Sequence, residues 1–386
     1  MTHVAINAQL VSFAESYRNA GVSRYTYTLL DALSRVDDEL TCTVFINAQE
    51  AIPAAASSLG RSPRMRLVPS RWPTSSAARR ILWEQLDLPG QVLRSGAQIF
   101  HAPVNVLPER VSLPSIVTIH DLAFVRYPEF FRPTRRIYQR IFTERSARRA
   151  AAIIAVSEAT RQDIISAFQI PPNRVRVIYP SVSPDFHPEQ DPARLAAFRA
   201  RHGLPPRYLL YLGTLEPRKN LVTLVEAYAR LRSEVPSAPP LILAGAKGWY
   251  FQPLFDRVRA LGLERNVTFA GYVSREEQAL WYAGAALFLY PSLYEGFGLP
   301  VVEALACGIP TLTSNVSSLP EAGGPVALQA PPDDARALAR AMRDALADST
   351  LPERVRVEGP RWTQRFSSEQ MAWRYVNTYA EVAGKA

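Results

Sequence analysis

Short apolar runs alternate with stretches of helical period along the whole chain, and the alternation starts afresh once, after a proline-rich break. Before the break the runs are Val4–Ala8, Cys42–Asn47, Arg64–Val68, Gln98–His101, Ser115–His120, Ala152–Val156 and Val175–Tyr179. The break is Pro180-Ser-Val-Ser-Pro-Asp-Phe-His-Pro188. After it come Tyr208–Leu212, Leu241–Ala244, Val267–Ala270, Leu287–Tyr290 and Thr311–Thr313. Near-continuous apolar runs of this length suit parallel strands covered by helices on both faces, so the expected class is α/β with doubly wound parallel sheets. The best-marked helix lies between Val22 and Val36. Residues 51–63 and 70–78, rich in Ala, Ser and Pro, read as loops. With 386 residues the chain is too long for one ordinary core. Two Rossmann-like domains are expected, at 1–183 and 184–365, with a ligand cleft facing the carboxyl ends of both sheets. The last segment, Ser368–Ala383, reads as an amphipathic helix bearing Trp373 and Tyr375.

Composition narrows the partners. No apolar stretch reaches the roughly 18 residues of a membrane span, and the N-terminus runs straight into a strand without the regions of a signal peptide. Cys42 and Cys307 both sit in apolar contexts, which fits a reducing cytoplasm rather than a disulfide framework. The formal charge is +9 and uneven: residues 1–185 hold 22 Arg, no Lys and 15 Asp+Glu, so 22 − 15 = +7. That balance points to an anionic partner. The densest segment is Arg132–Arg149, where Ile137, Ile141 and Phe142 share one helical face. It reads equally as a peripheral patch for the inner face of the cell membrane or as a solvated helix. No recognition module accompanies the charge, so a nucleic-acid partner is not expected.

Three stretches carry chemistry. In the first, the apolar run Ala286–Tyr290 leads through a turn into Glu295-Gly-Phe-Gly-Leu-Pro-Val-Val-Glu303. Gly296 and Gly298 allow backbone N–H groups to approach a ligand at a helix N-terminus, which suits an anion. Carboxylates at the loop and on the helix suit a ligand with both hydroxyls and a diphosphate. In the second, Gly213-Thr-Leu-Glu-Pro-Arg-Lys-Asn220 also follows a strand. Lys219 stands out because the chain has only three lysines (219, 247 and 385) against 41 arginines. A compact ammonium beside Arg218 suits a pyrophosphate. In the third, His120 ends a strand and is followed by Asp121. The chain has no Asp-x-Asp, no full dinucleotide glycine fingerprint and no zinc motif.

The first stretch resembles the Glu-x7-Glu signature of retaining nucleotide-sugar glycosyltransferases of the GT-B fold, glycosyltransferase family 4. The flanking Phe269-Ala-Gly-Tyr-Val-Ser274, Ala304-Leu-Ala-Cys-Gly-Ile-Pro310 and Ser314-Asn-Val-Ser-Ser-Leu-Pro-Glu321 extend the resemblance. It implies that residues 366–386 form a helix crossing back to the N-terminal domain, and that His120, Glu295, Lys219 and Arg218 are catalytic. Lys219 matches the family lysine that grips the donor diphosphate, while Thr214 stands where its partner arginine would be, with Arg218 as a substitute. Glu295 would hold sugar hydroxyls together with the N–H groups of Phe297 and Gly298, within the donor loop Gly296–Leu299. Glu303 would accept from the ribose. Gly21, in Arg18-Asn-Ala-Gly-Val-Ser-Arg-Tyr25, matches the N-terminal glycine loop over the phosphates. Gly213 opens the diphosphate loop that carries Lys219, Gly245 with Tyr272 and Val273 matches the loops around ribose and base, and Val156-Ser-Glu158 reads as a helix cap. The implied reaction needs neither cofactor nor metal. It moves a hexose from a nucleotide sugar to a glycan or lipid-linked acceptor. Similarity to bacterial polysaccharide mannosyltransferases makes GDP-mannose the first donor. The alternatives are a GT-B enzyme making a soluble glycoside from a UDP-sugar and a non-catalytic scaffold binding glycan or a partner enzyme.

Overall fold

The computed structural model describes residues 2–12, 21–36, 40–74 and 76–384. Arg18, Asn19 and Ala20 of the N-terminal glycine loop, and Lys385, lie outside the described residues. Two compact units are present: Met1–Ser181 together with Ser368–Ala386, and Val182–Ser367.

In the first unit the strands are β1 (Thr2–Ala8), β2 (Leu40–Ile46), β3 (Met65–Pro69), β4 (Ile99–Ala102), β5 (Ser115–Ile119), β6 (Ala152–Ala155) and β7 (Val175–Val177). All pairs are parallel, in the order β3-β2-β1-β4-β5-β6-β7. The second unit contains β8 (Leu209–Leu212), β9 (Leu241–Ala244), β10 (Val267–Gly271), β11 (Leu287–Tyr290), β12 (Thr311–Ser314) and β13 (Leu328–Ala330). Its parallel order, β10-β9-β8-β11-β12-β13, follows the same rule. The chain builds outward from the first strand of each unit, returns and builds the other way. Each sheet therefore has one topological switch point, between β1 and β4 and between β8 and β11, where loops at the carboxyl ends diverge and leave room for a ligand.

Helices cover the sheets as the period requires, and local chemistry sets their ends. Ser157 caps the Glu158–Phe168 helix by accepting from the Thr160 N–H at 3.0 Å, and Asp334 caps Ala335–Ala347 through the N–H groups of Arg336 and Ala337. The Ser368–Ala383 helix buries Met371, Ala372, Tyr375, Val376, Tyr379 and Val382, a stripe at three- and four-residue spacing. Trp373 stays 45% exposed on the opposite side.

Two expectations are corrected. Residues 51–63 are largely helical, with short helices at Ala51–Ala56 and Ser58–Arg61. Alanine is the strongest helix former, and Asn47 starts the segment by accepting from the Gln49 N–H at 3.1 Å. The second sheet also has a strand that periodicity missed, β13. Three residues give no alternation to read, and the strand is set by pairing with β12 at Leu312↔Leu328.

Glycines mark the carboxyl ends of three strands of the second sheet: Gly213 directly after β8, Gly245 directly after β9 and Gly271 as the last residue of β10. Gly245 donates its N–H to the Gly271 carbonyl at 2.6 Å, and Gly213 donates to Ala244 at 2.9 Å. A Cβ on Gly245 would stand 1.9 Å from the Gly213 oxygen, and its φ of +144° is itself disfavoured for other residues. At Gly262, φ +64°, a Cβ would meet open space. Gly245→Ala is expected to cost about 3 kcal/mol or more and Gly262→Ala about 1 kcal/mol, read by urea denaturation.

Candidate active site

The loop after β8 and the loop after β11 flank the switch point of the second sheet. The β8 loop runs through Gly213 and Thr214, whose carbonyl accepts from the Tyr211 hydroxyl at 3.0 Å. It then makes a tight turn over Pro217–Lys219. Asn220 closes the turn in the left-handed region (φ +59°) and donates to the carbonyls of Pro291 and Pro332 at 3.2 and 2.6 Å. Those bonds tie the turn to the loops that follow β11 and β13. Leu293 N–H also donates to the Arg218 carbonyl at 2.9 Å.

This stitching brings Lys219, Arg218 and Glu295 together. The Lys219 ammonium is buried, donates to the Tyr290 hydroxyl at 2.8 Å and forms a short ion pair with Glu295 Oε1. Tyr290 in turn donates to Glu295 Oε1 at 3.1 Å. Arg218 donates to Glu295 Oε2 at 3.2 Å, to the Tyr294 carbonyl at 3.0 Å and to Glu216 at 3.0 Å. Burial pushes the Glu295 carboxyl upward, but Arg218 and Lys219 outweigh it and bring the group down to about 2. Burial also pulls the Lys219 ammonium below its usual range, with Glu295 working against that fall. The resemblance aims both cations at a diphosphate; in the structure each also pairs with the Glu295 carboxylate, as buried charges must be paired.

The Glu295–Phe297 loop is held from the far side by two serines. Ser317 accepts from the Glu295 N–H at 3.2 Å and donates to its carbonyl at 2.7 Å. Ser318 donates to the carbonyls of Glu295 and Phe297, both at 2.9 Å. Gly296 continues the loop. At Gly298, φ +105° is a backbone conformation that disfavours any side chain, and a Cβ would also displace the tip of Leu319, 2.7 Å away. Leu299 begins the helix Leu299–Ala306, and Glu303 lies within it, buried, accepting from the Tyr282 hydroxyl at 3.0 Å. Glu303 is not part of the Lys219–Glu295 cluster. Gly245 is packed on Gly213, with Tyr272 half exposed and Val273 buried just beyond Gly271.

His120 and Gly21 belong to the first unit. Gly21, φ +59°, precedes the Val22–Val36 helix and accepts from the Tyr25 N–H at 2.9 Å. The Tyr25 ring meets His120 edge-on, with centroids 4.7 Å apart. His120 Nε2 is 2.8 Å from the Pro103 carbonyl, and its backbone N–H donates to Asn105 at 3.0 Å. A carbonyl only accepts, so Nε2 carries the proton. Burial draws the imidazole below its ordinary pKa, so the ring is neutral and Nδ1 is left as an acceptor.

The sequence reading missed Glu216, Tyr282, Tyr290, Ser317 and Ser318. Glu216, Ser317 and Ser318 lay inside stretches already marked by motif. Tyr290 ended the marked run Ala286–Tyr290 but read only as strand, and Tyr282 offered no signal, since both roles depend on which elements become neighbours. Among the described residues, no three His, Cys, Asp or Glu side chains are grouped as a metal ion would need.

Known proteins share this architecture. A family model of glycosyl transferases group 1 matches residues 196–362, and one of glycosyltransferase family 4 matches residues 19–186. The O-antigen chain mannosyltransferase B of Escherichia coli is 36% identical over 282 residues, which is 73% of this chain and 74% of that protein. The chain belongs to glycosyltransferase family 4. A second relative, the serotype-specific mannosyltransferase WbdA of Escherichia coli, is 30% identical over 274 residues, 68% of this chain. The chain spans 33% of its length. Sucrose-phosphate synthase from Thermosynechococcus elongatus superposes with a TM-score of 0.80 at 23% identity, covering 100% of both chains. The fold of this family-4 glycosyltransferase is therefore GT-B.

Lys219→Met leaves Glu295 buried with one cation fewer and is expected to cost about 3–5 kcal/mol in urea denaturation, as for other broken buried pairs. Lys219→Met/Glu295→Leu should recover more than half of that loss, because both charges are then gone.

Proposed function

We infer that this glycosyltransferase transfers mannose from GDP-mannose, with retention and without a metal, to a glycan or lipid-linked acceptor. The observation that carries the reading is the relationship to O-antigen mannosyltransferase B over 74% of that protein's length, in a chain that keeps Lys219 and Glu295 together at a switch point. Lys219, Arg218 and the amino end of the Leu299–Ala306 helix stabilise negative charge on the departing diphosphate, a preorganised electrostatic role. Glu295 orients the sugar hydroxyls with the N–H groups of Phe297 and Gly298. Glu303, oriented by Tyr282, accepts from the ribose. Gly213, Thr214, Gly245, Tyr272 and Val273 line the nucleotide, Gly21 approaches the phosphates, and His120 contacts the donor sugar. The C1–O bond to the diphosphate breaks as the acceptor oxygen bonds C1 on the same face, and the acceptor's proton passes to the leaving phosphate oxygen.

Calorimetry in EDTA with GDP, UDP, GDP-mannose and UDP-glucose tests the donor. GDP-mannose should bind best and turn over without added metal, with the product anomer read by NMR. Preference for UDP-glucose would favour the soluble-glycoside reading, and binding without turnover would favour the scaffold. Glu303→Gln should weaken GDP and GDP-mannose alike by roughly 10- to 150-fold, the value of a charge-assisted hydrogen bond. Glu295→Gln should spare GDP and lose only the increment due to mannose.

The first unit carries a second feature of function, a surface for anionic lipid. No described helix is long and apolar enough to cross a membrane. The Pro133–Arg149 helix exposes Ile137 and Ile141 among Arg135, Arg136 and Arg140. The Ala77–Leu86 helix exposes Leu82 and Leu86, and Tyr138 lies in the field of its Glu84 and Arg80. Aliphatic side chains ringed by arginines suit an anionic interface, which would bring a lipid-linked acceptor to the enzyme. Vesicles containing phosphatidylglycerol should co-sediment the protein, less so as salt shortens the Debye length below about 8 Å. Ile137→Glu/Ile141→Glu should abolish the effect, and equal binding to neutral vesicles would overturn it.

A further inference from the structure

The last helix inserts two tyrosines, one turn apart, into the first unit. Tyr375 and Tyr379 are both fully buried. The Tyr379 hydroxyl is 2.8 Å from His101 Nδ1, and His101 Nε2 is 2.9 Å from Thr118 Oγ1. Thr118 is 2.9 Å from the Tyr375 hydroxyl, which forms a short hydrogen bond with the hydroxyl of Tyr25. Tyr25 ends the chain of contacts against His120, its ring nearly perpendicular at 87°. Five polar side chains from two adjacent strands and two helices thus form one buried network that stops at the proposed donor-sugar contact.

Every member is held neutral. Burial draws His101 down to about 3, with nearby His120 acting in the same direction. It also lifts Tyr25, Tyr375 and Tyr379 well above the ordinary phenol range. The network therefore brings no charge to the sheet. What it brings is direction: an apolar core of similar volume would pack as well, whereas hydrogen bonds between buried hydroxyls fix the azimuth of each ring. The Pro103 and Asn105 bonds hold one edge of the imidazole and its backbone. Tyr25 supplies the ring contact.

We propose that Tyr25 is a positioning residue for His120 and that Tyr375 sets it from the terminal helix, so that the imidazole is aimed only when that helix is docked. The proposal rests on the reading of His120 as a donor-sugar contact.

The test pairs kinetics with a direct view of the histidine. Tyr25→Phe and Tyr375→Phe keep their rings and lose one hydroxyl. Each should lower kcat for GDP-mannose turnover about 10-fold, since small misplacements of a reacting group cost rate steeply. KM for the donor should stay within about twofold, and the double variant should be no worse than either single, as expected for residues acting as one unit. Val382→Ala loosens the same helix outside the network and should lower the melting temperature while leaving kcat intact. In ¹³C-histidine-labelled enzyme, the His120 signal, assigned with His120→Gln, should shift in both tyrosine variants and not in Val382→Ala. That arm needs no donor. An unmoved His120 signal, or a kcat loss in Val382→Ala equal to that in Tyr375→Phe, would overturn the proposal. If His120→Gln retains full turnover while the tyrosine variants still move the His120 signal, the reading of His120 fails and the coupling stands.

Discussion

A carboxylate taken out of water needs its charge answered at once, and the second unit is organised around one such group. Glu295 is reached by Lys219, Arg218 and Tyr290, and each partner is positioned by something else. The turn over Pro217–Lys219 is locked by Asn220, Tyr290 ends β11, and the loop carrying Glu295 is pinned by Ser317 and Ser318. With Glu216 included, two cations face two carboxylates, so the cluster is neutral as it stands. For a diphosphate of the kind proposed, the cations are already in place and desolvated. The ligand has to share them with Glu295 rather than order them. That is the condition under which fixed charges do most for a developing leaving group.

The glycines of the site have a structural task as well as a proposed chemical one. Gly245 lies against Gly213 through backbone atoms, and a Cβ on Gly298 would press on Leu319. At Gly245 no side chain fits even without a ligand, and at Gly298 the positive φ itself disfavours one. The close approach that would let the backbone reach the proposed phosphate is the same approach that lets the loops pack on one another. Folding and binding therefore select the same residue, and the motif alone does not separate the two demands.

In the first unit the corresponding organiser is the terminal helix. Its amphipathic pattern named Trp373 and Tyr375 together, but only Tyr375 is buried. An aromatic ring satisfies a core by its area, and a tyrosine adds a hydroxyl that must find a partner when buried. Thr118 and Tyr25 provide it. The cost of burying polar groups is thereby turned into an orientation that reaches His120.

Much of the fold was legible because parallel strands and their covering helices write a local period into the chain. The twelve strands read from apolar runs are all present, Lys219 and Glu295 follow β8 and β11, Glu303 lies on the helix beyond, and Ser157 caps the helix that its motif marked. What was not legible is non-local. β13 has too few residues for a period and exists by pairing with β12. The helices at 51–61 arise where composition read as loop. The neighbouring of β8 and β11 follows from strand order, and that order decides that Lys219 meets Glu295 across 76 residues. Tyr282 reaches Glu303, and Tyr375 reaches Thr118 across 257 residues, for the same kind of reason. The sequence by itself determined every strand but β13, which loops carry charge and hydroxyl chemistry, and to which family they belong. Only the tertiary structure decided which charge answers which, because burial gives each polar group a partner from whatever the sheet order sets beside it.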